Sequence, residues 1–117
     1  MGPNTRFLLA QPFLAETARL LTGRGATHLR APYPLGAEGT TAWLRAAAEA
    51  WGTDEDRFAE VTAKGEARAR TAVERQRDRL DGKRVFFLPD SQLEIPIARF
   101  LSREAGVKLC EVGTPYL

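Results

Sequence analysis

A short apolar run that passes directly into a helix start is the feature that most constrains this chain. Residues 84–88 are the most strand-like stretch of the chain, with β-branched and aromatic side chains. Ser91 and Glu94 follow at the S-x-x-E spacing of a capping box, which opens a helix. Gly106 ends that helix, and residues 107–112 form another strand-like run. Strand, helix and strand in this order predict a parallel βαβ unit.

The preceding part of the chain alternates between the same two patterns. Its predicted elements, in chain order, are a strand at 6–10, a helix at 14–23, a weak strand at 27–31, a helix capped by Thr40 or Thr41, and a helical stretch at 54–81 that Gly65 can divide. The whole pattern is βαβα(α)βαβ, which predicts an α/β fold with a Rossmann-like parallel sheet flanked by helices. We expect one segment over 1–117, with a sub-boundary near 81–83 that separates 1–82 from 83–117.

Composition excludes several classes of protein. Lys and Arg number 17 and Asp and Glu 15, so the net charge is +2, and the interleaved signs form no patch for nucleic acid. With one cysteine and one histidine, the chain cannot supply the ligands of a zinc or iron–sulfur site alone. No apolar run reaches the roughly 20 residues of a transmembrane helix, and the first residues lack the pattern of a signal peptide. We therefore expect a cytoplasmic protein.

Five side chains have structural interpretations that outweigh functional ones. Trp43 and Trp51, at helical spacing, are expected in the core. Cys110, inside a strand, is expected to be a small buried apolar group. His28 is assigned to the start of the second strand, on the rim, which argues against a Ser-His-Asp triad. Pro96 is expected to kink the last helix or to leave a carbonyl free at the strand–helix corner.

The carboxyl ends of the predicted strands are the expected position of a binding site, because ligands of open parallel sheets bind there. The loops at 11–13, 31–36 and 89–92 would then converge on one pocket. These loops are apolar and aromatic with a few polar groups, and no glycine-rich phosphate cradle follows the first strand. The pattern favours a flat or apolar small molecule as the ligand.

Four stretches of the sequence also resemble a known family. They are QPFLAET at 11–17, PLGAEGTTAWL at 34–44, FLPDSQLEIP at 87–96 and EVGTPYL at 111–117. In this order, and over essentially the whole chain, they resemble the N subunit of the light-independent (dark-operative) protochlorophyllide reductases, which are relatives of the catalytic component of nitrogenase.

The resemblance implies an oxidoreductase of chlorophyll and bacteriochlorophyll biosynthesis. The family reduces the C17–C18 double bond of ring D of protochlorophyllide to give chlorophyllide a. Two N and two B subunits form the catalytic component, and an ATP-hydrolysing iron–sulfur L protein passes on electrons from ferredoxin. A [4Fe-4S] cluster at the N–B interface relays those electrons. The family's N subunit is longer and its cluster cysteines have no match here, so we expect an internal fragment that neither binds the cluster nor turns over alone.

With this resemblance, the loops at the strand ends become candidate walls of a tetrapyrrole pocket. The apolar side chains of these loops would pack on the macrocycle, and the amides of Gln11 and Gln92 and the hydroxyl of Ser91 would offer hydrogen bonds. A capping or loop role for Asp90 is favoured over the role of proton donor. The candidate substrate-binding residues are Gln11, Pro12, Phe13, Pro34, Leu35, Pro89, Asp90, Ser91 and Gln92.

Two alternatives to a reductase segment with a substrate-binding role remain open at this point. The chain could be a stand-alone, non-catalytic α/β binding module with the same sheet and no redox role. It could also be scaffold whose loops lie far from any substrate.

Overall fold

The computed structural model describes residues 1–11 and 13–115. The strands among these residues are β1 (Arg6–Phe7), β2 (Thr27–His28), β3 (Arg84–Phe87) and β4 (Lys108–Val112). The helices are α1 (Ala15–Gly23), α2 (Gly36–Ala50), α3 (Glu55–Leu80) and α4 (Glu94–Arg103). The predicted order βαβα(α)βαβ and the α/β class are confirmed. The predicted sub-boundary at 81–83 falls in the turn between α3 and β3 and stays a prediction.

The strands pair in parallel, but as two separate pairs. β1 pairs with β2, so that Phe7 lies beside His28, and β3 pairs with β4, so that Phe87 lies beside Val112. Among the described residues, each pair is a two-stranded sheet of its own rather than part of one continuous sheet. α1 and α4 are the crossover connections that a parallel pair requires.

Helix α2 begins earlier than the sequence predicts. It starts at Gly36 rather than at a cap formed by Thr40 or Thr41. The reason is a carboxylate from another element: Glu104, just after α4, accepts hydrogen bonds from the backbone N–H groups of Ala37 (2.8 Å) and Glu38 (3.2 Å). A helix start needs acceptors for its free N–H groups, and here they come from a distant part of the chain.

Helix α3 is continuous, so the division at Gly65 that the sequence allows does not occur. Asp54 caps its first turn by accepting a hydrogen bond from the Arg57 N–H at 2.9 Å. The Glu66–Arg70 ion pair (2.7 Å) spans the turn after Gly65. Although α3 is long, no helix in the described part of the chain is apolar enough at sufficient length to cross a membrane.

The described residues form a thin layer with extents of 48 × 38 × 13 Å. Their accessible surface is 8080 Å², against roughly 6,300 Å² for a compact protein of this mass. The buried apolar residues are mostly small: Ala26, Ala37, Phe58, Ala98, Ala105 and Val107. Parallel sheets normally have both faces covered, and these two sheets lack that second layer.

Two expectations about the core are wrong. Trp51 is 63% exposed, with the guanidinium of Arg6 6.0 Å from its ring centroid. Cys110 is exposed on β4, and its sulfur accepts a hydrogen bond from Nε of Arg84 at 3.3 Å. Trp43, by contrast, is half-buried, and its Nε1 donates to the Leu9 carbonyl at 3.4 Å.

Pro96 does not interrupt α4. It lies in the first turn, before the first backbone hydrogen bond of the helix, which runs from the Ile97 N–H to the Leu93 carbonyl at 2.9 Å. A proline at this position lacks an N–H that would have had no partner within the helix. The expected kink is therefore wrong, and Pro96 is buried.

Candidate functional site

The loop after β1 and the loop after β3 meet through their side chains. Nε2 of Gln11 donates a hydrogen bond to Oε1 of Gln92, although 81 positions separate these residues along the chain. Both side chains are half-buried. This contact brings the carboxyl end of one strand pair next to the carboxyl end of the other.

Arg99 of α4 ties the third loop to the same region. Its Nη2 lies 3.3 Å from the carbonyl oxygens of both Tyr33 and Leu35 and donates to them. Gly39 of α2 makes this reach possible: a Cβ there would lie 2.7 Å from the Tyr33 oxygen and would also crowd the guanidinium. The loops after β1, β2 and β3 therefore converge beside the first turns of α4.

A cavity of about 520 Å³ lies between the loops after β1 and β2, α1 and the start of α4, whereas the loop after β3 is not part of its lining in the described part of the chain. This volume falls within the range of small-molecule sites, about 300–1,000 Å³. Most of the lining is apolar, including Leu9, Leu14, Ala18, Ala31, Ile95 and Pro96. The polar side chains of the lining are Gln11, His28, Arg30, Tyr33 and Arg99.

Glu94 holds the loop after β3 in place. Its Oε1 accepts hydrogen bonds from the backbone N–H groups of Asp90 (2.8 Å) and Ser91, while Ser91 Oγ accepts one from the Leu93 N–H at 3.0 Å. The predicted pairing of Ser91 with Glu94 therefore exists, but the helix itself begins at Glu94. The residue is 4% exposed, and its Oε2 is buried without a hydrogen-bond partner in the described part of the chain.

The Glu94 carboxyl is held in its charged form by this geometry. Burial raises its pKa, but the hydrogen bonds from the backbone N–H groups of Ser91 and Asp90 outweigh burial, so the pKa lies below its ordinary value of 4.5. A folded-state pKa below the unfolded one stabilises the fold above the unfolded pKa. That contribution is lost as the pH falls through the folded-state pKa.

We therefore expect the hydrogen bonds from the Asp90 and Ser91 N–H groups to Glu94, here called the clamp, to persist at pH 4.5 and to be lost at lower pH. The measurement is a titration of the backbone amide resonances of Asp90 and Ser91 between pH 7 and pH 2. Both amides should shift together, with a midpoint below the ordinary carboxyl pKa. Glu94→Gln is the control, since it removes the titrating group. A midpoint at or above 4.5 in the unsubstituted protein would contradict the clamp.

The structure places the sequence-predicted residues at different depths. Gln11 lines the cavity and contacts Gln92. Phe13, Pro34 and Leu35 are half-buried, whereas Pro89, Asp90 and Ser91 are exposed. Pro12 lies outside the described residues. Gln11 and Gln92 are thus brought together, Leu35 is joined to α4 through Arg99, and contact of the set with a substrate stays a prediction.

Sequence reasoning missed four polar residues of the lining, Arg99 of α4 and three residues at the end of β2 and in the loop after it. His28 is not at the start of the second strand but is the last residue of β2, and its ring stacks on Phe7 with centroids 4.9 Å apart. Arg30 and Tyr33 follow it in the loop. A position at or just after the end of a strand was the signal that could have identified these residues. It was missed for His28 and Arg30 because the second strand was predicted to extend to residue 31.

A family comparison agrees with this architecture. Residues 1–116 match the profile of the family described as nitrogenase component 1 type oxidoreductase. The chain belongs to the nitrogenase component 1 type oxidoreductase family. The resemblance to this family that the sequence motifs indicated is confirmed.

Individual members of this family are similar to the chain over all of its 117 residues. Proteins named light-independent protochlorophyllide reductase subunit N are 66% identical in Rhodopseudomonas palustris (strain BisB18), 64% in Rhodospirillum rubrum (strain ATCC 11170) and 56% in Jannaschia sp. (strain CCS1). The alignment covers 100% of this chain and 27% of each relative. The chain thus spans about a quarter of the length of the curated relatives it matches.

Membership of the nitrogenase component 1 type family implies iron–sulfur clusters in the full protein. The residues described here do not fit such a cluster. They contain no group of three or more His, Cys, Asp or Glu side chains that could hold a metal ion. Cys110 is exposed and its sulfur is engaged by Arg84. A [4Fe-4S] cluster takes several cysteine thiolates, so this set could not supply all of its ligands.

Proposed function

We propose that this chain is a segment of the catalytic component of a light-independent protochlorophyllide reductase. The observation that carries the proposal is the 56–66% identity, over all 117 residues, to proteins named as subunit N of that reductase. The segment's role is to form one wall of the tetrapyrrole pocket and part of the subunit contacts. The loops after β1 and β2, which line an apolar cavity, and the Gln11–Gln92 contact that joins the loop after β3 to them support the first of these roles.

The proposed reaction is reduction of the C17–C18 double bond of ring D of protochlorophyllide to chlorophyllide a, in the biosynthesis of chlorophyll or bacteriochlorophyll. In this scheme the segment works in the cytoplasm, within an N2B2 complex with the B subunit. Electrons come from ferredoxin through the ATP-hydrolysing L protein and a [4Fe-4S] cluster that other residues hold. The segment alone is then inactive, because it contributes a binding wall and no electron carrier.

The chemistry of this wall follows from its lining. An apolar cavity excludes water from the face of a flat macrocycle, which favours binding by burial of apolar surface. Gln11, which lines the cavity, is proposed to offer a hydrogen bond to the macrocycle. Ser91, Gln92, Phe13 and Leu35 lie outside that lining, and the hydrogen bonds of the first two and the packing of the last two on the ring system stay predictions. Asp90 is exposed and its N–H is used in the clamp to Glu94, which supports a loop role over that of proton donor.

The experiment that tests this function fills the cavity. Ala18 lines it from α1, so Ala18→Phe in the full N–B complex should weaken protochlorophyllide binding at least about tenfold, because the added ring takes the space of the macrocycle. Binding is measured from the absorbance change of the pigment, and reduction from the rate of chlorophyllide formation. Reduction at limiting pigment concentration should fall with binding.

The matched control for Ala18→Phe is Ala63→Phe. Ala63 is exposed on α3 and does not line the cavity, so this variant should bind and reduce pigment like the unsubstituted complex. If Ala18→Phe binds protochlorophyllide as tightly as Ala63→Phe, the cavity is not the substrate site.

A further inference from the structure

The polar groups of the 520 Å³ cavity are cationic or neutral. Two guanidinium groups, those of Arg30 and Arg99, lie among the lining residues together with the imidazole of His28. No carboxylate is part of this lining in the described chain. A cavity of this kind attracts an anionic group, and its apolar walls favour one that is attached to a hydrophobic body.

Arg99 and His28 are already committed to contacts within the protein. The Arg99 guanidinium donates to two backbone carbonyls and lies 3.7 Å from Oε1 of Glu38. The His28 ring is stacked on Phe7 at an interplanar angle of 8°. Arg99 therefore makes contacts within the protein through both of its terminal nitrogens, and the His28 ring is positioned by its stacking on Phe7.

Arg30 is in a different position. It lies two residues after β2, is exposed, and borders the 520 Å³ cavity (the main cavity) and two others beside it. Among the residues that the structure describes, no hydrogen bond or ion pair to its guanidinium is found. Its five N–H donors are thus available at the mouth of an apolar cavity.

Three acids line a neighbouring smaller cavity together with Arg30, and two of them are already paired. Glu38 pairs with Arg103 (2.7 Å) and Glu66 with Arg70 (2.7 Å). Glu49 lines that same smaller cavity, but no ion pair joins it to Arg30. The arginine therefore retains its charge for a group that enters the main cavity.

We propose that Arg30 binds a carboxylate on the ligand of this cavity, so that the site prefers a macrocycle with a free acid over the corresponding ester. The guanidinium edge matches a carboxylate by two parallel N–H···O hydrogen bonds, and esterification removes both the charge and the second equivalent oxygen. The proposal rests on the proposed function, since it names the substrate group that the same cavity recognises.

The test compares two probes on the full N–B complex: protochlorophyllide and its methyl ester. The unsubstituted complex should bind the acid about five- to tenfold more tightly than the ester. In Arg30→Gln this preference should disappear through weaker binding of the acid, while ester binding stays the same. Arg30→Lys keeps the charge but loses the two-pronged geometry, so it should restore only part of the preference.

Arg24→Gln is the matched control, because Arg24 is also exposed but does not line the main cavity, and it should keep the full preference. The proposal is overturned if Arg30→Gln leaves the acid-to-ester ratio unchanged, or if it weakens both probes equally. Its failure differs from failure of the proposed function: Ala18→Phe would still block both probes if only the role of Arg30 is wrong. If the cavity is not the substrate site, Ala18→Phe would affect neither probe.

Discussion

Replacing Glu104 by alanine is expected to lower the free energy of unfolding by about 2 kcal/mol. The Glu104 carboxylate accepts hydrogen bonds from the N–H groups of Ala37 and Glu38, the first backbone donors of α2. Ala37 is buried, so without Glu104 its N–H has little access to water as a replacement acceptor. A negative charge at a helix N-terminus adds to the effect. Urea unfolding followed by circular dichroism measures the change.

Two comparisons separate the cap from general effects of removing a charge. Glu104→Gln keeps one acceptor oxygen and loses the charge, so it should lose about half as much stability as the alanine variant. Glu60→Ala removes an exposed carboxylate that pairs with Arg57 on α3, and should change stability by less than about 0.5 kcal/mol. Equal losses in Glu104→Ala and Glu60→Ala would show that the carboxylate does not cap α2.

Gly36→Ala is expected to cost about 2–3 kcal/mol of stability, for two separate reasons. The residue has φ +74°, a conformation that an L side chain rarely adopts. A Cβ at Gly36 would also lie 2.8 Å from Cδ of Glu104 and would press on the ring of Phe100. Thermal and urea unfolding of the variant give the measurement.

Gly52→Ala isolates the backbone part of this cost. Gly52 has φ +71° but nothing within 4 Å of where a Cβ would be, so the variant should lose about 1 kcal/mol. The difference between the two variants then reports the crowding between the start of α2 and α4. If both lose the same amount, the side chains of α4 move aside at no cost, and the close packing of this junction is wrong.

The candidate site was partly predictable from the sequence. The idea that loops at strand ends converge rests on a general property of parallel strands, and the Gln11–Gln92 contact does join two of those loops. The arginines of the lining were not predicted. Arg30 was placed inside a strand that the structure ends at His28, and Arg99 enters the site only through the packing of α4 beside the loop after β2.

The amino-acid sequence by itself determined the order of strands and helices and the pairing of Ser91 with Glu94. These features depend on contacts between residues a few positions apart, which local spacing encodes. The start of α2 and the exposure of Trp51 were decided by tertiary structure alone. The acceptor that lets α2 begin at Gly36 lies 67 positions beyond Ala37, and burial of Trp51 depends on which elements cover it. No local sequence pattern encodes the start of α2 or the exposure of Trp51, because both arise only when distant parts of the chain meet.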